Sequence, residues 1–308
     1  MSYRHIKTFI GFFIVMILLT SCQKSTPKEV QPDVDRLYQE YQLQASPERA
    51  EVYLDTLDIF IRNNISNPPL IKEHLDKGVK TSMAQGLLSR TPSYLLPILR
   101  LYPSLDNRKD YLLNLGDVMY TLRKKHAASV VFAELIKSNP GDAAIMKKQQ
   151  FIDSLAVTNP DYVGYLFDQI LIDPDELGVN RAASLKYVDA VEALALVSPQ
   201  DPGVPEHLYT AAEVARSMRT FPKAMSLYDW LIDTYPKSEK TPNALFIKGF
   251  ILEQDYNRTE EAKEIYERFL EEFPTHDMAE SAKFLLSNLG KTDEEILSQI
   301  EKNKASNK

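Results

Sequence analysis

Apolar residues along most of this chain recur three and four positions apart, with polar residues between them, and prolines interrupt the pattern at intervals. Ala50, Tyr53, Leu54, Leu57 and Ile61 follow that spacing, and so do Leu112 with Leu115 and Ala128 with Phe132 and Leu135 on either side of a polar turn. This is the period of amphipathic helices. Breaks at Asn67-Pro68-Pro69, Pro103, Pro140, Asn159-Pro160, Asp173-Pro174, Pro199, Pro236 and Pro274 cut the chain into short helical pieces. Long β-branched runs are rare outside the N-terminus, so the pattern predicts an all-α fold.

The pattern also repeats at long range. Ala224 to Ala262, Tyr228 to Tyr266 and Pro236 to Pro274 are each 38 residues apart, and Ala244 and Phe246 recur as Ala282 and Phe284 at the same interval. Self-similarity of this period predicts a solenoid of helical hairpins. Each hairpin has a small residue on its first helix (Ala212, Gly249), which lets the second helix approach closely. A small residue opens the second helix (Ala224, Ala262), and an aromatic with a large apolar residue follows (Tyr228 with Leu231, Tyr266 with Phe269) to fill the seam. Proline stands where the second helix must stop. Leu112, Leu115, Gly116, Ala128, Phe132, Leu135 and Pro140 spell an earlier copy, and Pro103 precedes Pro140 by 37 residues.

These residues resemble the tetratricopeptide repeat, most closely over 205–290, where the second hairpin carries one extra residue in its turn at 255–259. The resemblance implies a helical-hairpin solenoid whose first helices line a concave groove. Carried over position by position, the groove residues are Leu113, Asp117 and Tyr120 in the repeat from Lys109, Tyr209, Glu213 and Arg216 in the repeat from Pro205, and Phe246, Phe250 and Glu253 in the next. Aromatics beside charges suit a partner helix or an extended segment. Packing of Phe246 and Phe250 against the adjacent hairpin is the competing reading.

The N-terminus follows a different pattern. Arg4 and Lys7 precede an unbroken apolar run at 9–19, too short to span a bilayer comfortably. Leu19-Thr20-Ser21-Cys22 then resembles the lipobox of bacterial lipoproteins, which implies cleavage before Cys22 and lipidation of it. Cys22 is the only cysteine among 308 residues, so neither an internal disulfide nor a cysteine metal site is possible. Removal of 1–21 moves the formal net charge from −7 to −9, which argues against nucleic acid as a partner. The expected organisation is a signal peptide at 1–21, a lipidated polar tether at 22–33 and a helical region with degenerate repeats at 34–140. An irregular helical joint at 141–185, C-terminal repeats with a capping helix at 186–300 and a disordered tail at 301–308 complete it.

Candidate chemistry is sparse. His5, His74, His126, His207 and His276 are isolated from one another, and no Gly-rich phosphate loop or nucleophile elbow is present. Asp173, Asp175 and Glu176 loosely resemble the start of a calcium loop, but Leu177 and Ser184 stand at ligand positions, and an acidic helix-capping turn explains them better. Trp230, on a second helix, reads as a residue packed against its neighbour. No metal, cofactor or catalytic centre is expected, so function falls to surfaces. Residues 205–290 resemble two repeat proteins of the envelope, the lipoprotein of the β-barrel assembly machinery and the Tol–Pal-associated periplasmic protein, of which the second lacks the lipid. That likeness implies a non-catalytic scaffold at the outer membrane that faces the periplasm and binds protein partners of the cell envelope. The competing class is a solute- or glycan-binding lipoprotein of a nutrient-uptake system, for which 141–185 is the candidate pocket.

Overall fold

The structure, a computed structural model, describes residues 33–155, 161–170, 180–292, 294–295 and 297–298. The expected signal peptide, Cys22, nearly all of its tether, the acidic turn at 173–178 and the tail from 301 lie outside the described residues. Every element within them is an α-helix. Helices α1 (Val34–Leu43) and α2 (Pro47–Asn64) lead into the hairpin of α3 (Pro68–Ala84) and α4 (Pro92–Leu101), and α5 (Arg108–Thr121) pairs with α6 (Lys125–Ser138). Three short helices follow, α7 (Ala143–Met146), α8 (Gln149–Ser154) and α9 (Tyr162–Asp168), and then the long α10 (Arg181–Val197). The last hairpins are α11 (Val204–Ser217) with α12 (Phe221–Thr234) and α13 (Thr241–Gln254) with α14 (Thr259–Glu272), and α15 (Ala279–Asn288) packs on α14. The molecule is an all-α, tetratricopeptide-like solenoid.

One contact builds the hairpins. A Cβ at Gly249 would lie 2.7 Å from the Tyr266 ring, and one at Gly116 would collide with the Phe132 ring. The small residue is therefore the space into which the aromatic of the second helix fits, and Tyr228, Tyr266 and Phe269 are fully buried there. Gly78 meets Tyr94 at 2.7 Å in the same way. Gly78–Tyr94, Gly116–Phe132 and Ala212–Tyr228 share a separation of 16 residues, so α3–α4 is a repeat in a region expected to lack clean ones. It is disguised because Arg90 stands where the other hairpins have Ala128, Ala224 and Ala262. Arg90 points out of the seam and donates to Glu51, Asp55 and Asp58 on α2 at 2.7–2.8 Å.

The turns between paired helices repeat as well. Arg123 (φ 64°) and Arg219 (φ 57°) adopt the left-handed conformation, and the next amide returns to the first helix, Lys124 N to Met119 O at 2.8 Å and Thr220 N to Ala215 O at 2.9 Å. In α13–α14 the left-handed residue is Asn257 (φ 52°), and Arg258 N reaches back one residue further, to Leu252 O. That longer return is the extra residue of this repeat.

The segment expected as an irregular joint, 141–185, carries the short helices α7–α9 among its described residues. Helix α10 packs directly on α6 and on α11, and α7–α9 lie to one side. Ala183, Tyr187, Ala190, Val191, Ala193, Ala195 and Leu196 are all buried, so α10 is covered around most of its circumference and links the two runs. Arg108 fastens this junction from α5 by donating to Leu99 O at the end of α4 (2.7 Å) and to Leu196 O at the end of α10 (2.6 Å). A cation at two helix C-termini also meets their negative dipole ends. One apolar core runs from Val34 to Ala282, and a smaller cluster of Leu252, Ala262 and Tyr266 sits within α13–α14.

Candidate functional site

On α11, Tyr209, Glu213 and Arg216 are spaced to share one helix face. Glu213 accepts the hydroxyl of buried Tyr228 and two donors of Arg216, Nη2 at 2.6 Å and Nε at 3.2 Å. Burial first, and then the bond to Glu213, push the Tyr228 hydroxyl well above the usual tyrosine range. The bond to Glu213 raises the Arg216 pKa in turn. Tyr209 is half-buried beside Tyr228 and has the Lys240 ammonium 5.4 Å from its ring centre. The result is an aromatic plate next to an oriented arginine, with the charges fixed by neighbours rather than by water.

The next repeat varies the theme. Tyr266 donates to Glu253 at 2.8 Å, so a buried tyrosine again anchors an acid on the first helix of its own hairpin. Phe246 is half-buried, with its ring 6.1 Å from Tyr266 and 5.8 Å from Phe269, and belongs to the packing between helices. Phe250 is 36% exposed. Of the expected phenylalanine pair, Phe250 is thus the one that faces solvent. On α15, Phe284 has the register of Phe246 and is 49% exposed. Its recurrence 38 residues after Phe246 was the signal for it.

The α5 repeat is contacted by the segment that follows α6. Leu113 is half-buried, and Tyr120, although 49% exposed, has the ring of Phe151 edge-on at 4.9 Å. Asp117 is paired with Lys148, whose ammonium also lies 5.1 Å from the centre of the Phe132 ring. Lys148 and Phe151, just before and on α8, therefore contact Asp117 and Tyr120, which stay 47% and 49% exposed. Sequence spacing gave no sign of this, because Lys148 and Phe151 sit in the least repeat-like stretch of the helical region.

Other polar clusters are isolated. His126 Nδ1 meets the Tyr162 hydroxyl, and burial followed by the charges of Lys186 and Lys125 lowers its pKa. A cavity of about 530 Å³ opens beside it, lined by Tyr165, Gln169, Asn180 and Lys186 among others. Among the described residues no group of three or more His, Cys, Asp or Glu could hold a metal ion, and no helix is long and apolar enough to cross a membrane.

The family comparison agrees with a hairpin repeat at α13–α14. The tetratricopeptide repeat family matches residues 243–276, which fall on α13–α14. Among solved structures, the chain is similar to a tetratricopeptide repeat protein from Parabacteroides merdae, at 15% identity over 70% of this chain and 72% of that one, with a TM-score of 0.27. No curated protein matches the sequence. The chain thus contains a tetratricopeptide repeat at 243–276, and such repeats present extended surfaces for protein–protein interaction.

Proposed function

We propose that this protein is a non-catalytic scaffold of the cell envelope, held at the outer membrane by lipid on Cys22 and binding protein partners along the first helices of its C-terminal repeats. The observation that carries the reading is the pair of contacts made on the α5 face. There the groove takes an ammonium on an acid and an aromatic ring on an aromatic ring, Lys148 on Asp117 and Phe151 on Tyr120. The corresponding positions on α11 and α13 are Glu213, Arg216, Phe250 and Glu253. Their described contacts stay within their own hairpins, and an equivalent segment from a partner would suit them. A partner with a basic residue and an aromatic one turn apart fits that chemistry.

A photo-activated cross-linking residue placed at position 250 should capture a partner in intact cells, and the same residue at 113 should not. Equal capture at both positions would remove the assignment to the C-terminal face. The anchor is tested separately, because Cys22→Ala should leave the protein unprocessed or soluble after a high-salt wash. The lipobox at Cys22 and the short apolar run before it support membrane attachment, since each buried methylene contributes about 0.8 kcal/mol. The solute- or glycan-binding reading has one observation in its favour, the cavity beside His126 and Tyr165 in the irregular segment. Saturable binding of a glycan that is lost in Tyr165→Ala would favour it.

A further inference from the structure

A second concave site lies away from the first-helix face. Helices α4 and α12 come together across 133 residues of sequence, and between them opens a cleft of about 800 Å³, within the range of small-molecule sites. None of the groove residues named above lines it. Its apolar surface includes Leu96, Pro97, Met225 and Trp230, and its rim carries two tight ion pairs, Lys223–Glu192 at 2.8 Å and Lys248–Asp229 at 2.6 Å.

Arg100 is the exception among these charges. Its guanidinium lies over Trp230, 5.3 Å from the ring, and only 24% of its side chain is exposed. Among the described residues its one hydrogen bond is to Asp233, at 3.4 Å. A guanidinium normally donates several short bonds to an anion, often two to one carboxylate. Burial lowers the pKa of Arg100 in spite of the opposing pull of Asp233, Asp229 and Glu192. The cation is therefore desolvated without being well paired. Asp233 itself is 67% exposed and can turn into water at little cost. The group that occupies the arginine loosely is a carboxylate, which identifies the chemistry the place accepts.

We propose that the α4–α12 cleft is a binding site for an organic acid, whose carboxylate takes Arg100 from Asp233 and whose apolar body lies on Trp230, Leu96 and Met225. The acid is either a free amphipathic carboxylate or the C-terminus of an apolar peptide, since both present the same group. This site is independent of the adaptor reading and can fail while that reading stands.

Trp230 is the only tryptophan of the chain, so its emission reports on the cleft directly. The full chain is titrated with phenylbutyrate, with acetyl-dileucine and with the amide of each. Both acids are expected to change the emission saturably, and the amides are not. The tighter of the two acids identifies the source, free acid or peptide terminus. Arg100→Gln should weaken binding by about tenfold or more, the loss expected for a charge-assisted bond. Asp233→Asn should tighten binding, because it removes the internal competitor. Equal responses to acid and amide, unchanged binding in a folded Arg100→Gln protein, weaker binding in Asp233→Asn, or no saturation with either acid at about 10 mM would each overturn the proposal. If Arg100→Gln does not fold, Asp233→Asn at an exposed position still decides it.

Discussion

The α5–α6 hairpin and the α11–α14 hairpins share one construction and differ in what lies on it. Both are held by an aromatic on the second helix set against a small residue on the first, Phe132 on Gly116 and Tyr266 on Gly249. Both turn through a left-handed residue. On the first, the chain sets Lys148 against Asp117 and Phe151 against Tyr120, whereas on the second the contacts of Glu213, Arg216 and Glu253 stay within their own hairpins. The lesson is that repeat register specifies which residues can face the groove. Whether they are free depends on segments outside the repeat.

The shared part of the comparison is the most costly to break. Phe132→Ala and Tyr266→Ala should each destabilise the fold by about 3–5 kcal/mol, as for other large-to-small changes in packed cores. Equilibrium denaturation of both variants checks this, and a loss in one hairpin only would mean that the two are not built alike. Next comes the segment that follows α6. The double change Lys148→Ala, Phe151→Ala should cost about 1–2 kcal/mol, mostly from the aromatic contacts because an exposed ion pair contributes little. It should also free the α5 face, so that a cross-linking residue at 113 begins to capture partners. Continued silence at 113 in this variant would show that this segment is not what keeps partners from the face.

Phe250→Ala should leave stability within about 0.5 kcal/mol, as for surface positions away from the core, yet lower partner capture. A marked fall in melting temperature would place Phe250 with Phe246 in the packing between helices. The smallest effect concerns pH. Burial lowers the His126 pKa, so the folded protein takes up its proton less readily than the unfolded chain. The contribution of this residue is therefore fully present above the unfolded pKa of about 6.5 and is lost as pH falls below it toward the folded value. His126→Gln should flatten the melting temperature against pH in that acidic window and leave it unchanged at alkaline pH. An unaltered profile would mean that His126 is protonated alike in both states.

Much of the architecture was legible because its determinants are local. Helices follow from apolar spacing, and hairpins from a small residue followed 16 or 17 residues later by an aromatic, as in Ala212–Tyr228 and Gly249–Tyr266. The α3–α4 hairpin carries the same signal at Gly78 and Tyr94, but Arg90 in place of alanine broke the wider consensus, and three carboxylates on α2 were needed to accommodate it. The site was legible only in part. Tyr209, Glu213 and Arg216 do share a face, whereas Phe246 turned into the packing and the α5 face proved to be contacted by the segment after α6.

By itself, then, the sequence determined the fold class, the repeat register and the lock within each hairpin. Each of these depends on residues one helical turn or one hairpin apart, whose relative positions the backbone dictates. Tertiary structure alone decided that α10 seats on α6, that Lys148 pairs with Asp117, and that Arg100 reaches Trp230 and Asp233 on the far side of the array. Those contacts depend on the small rotation each hairpin adds to the next, accumulated over several repeats and across an irregular segment. No local spacing encodes that sum, because only the packed side chains of every intervening seam set it.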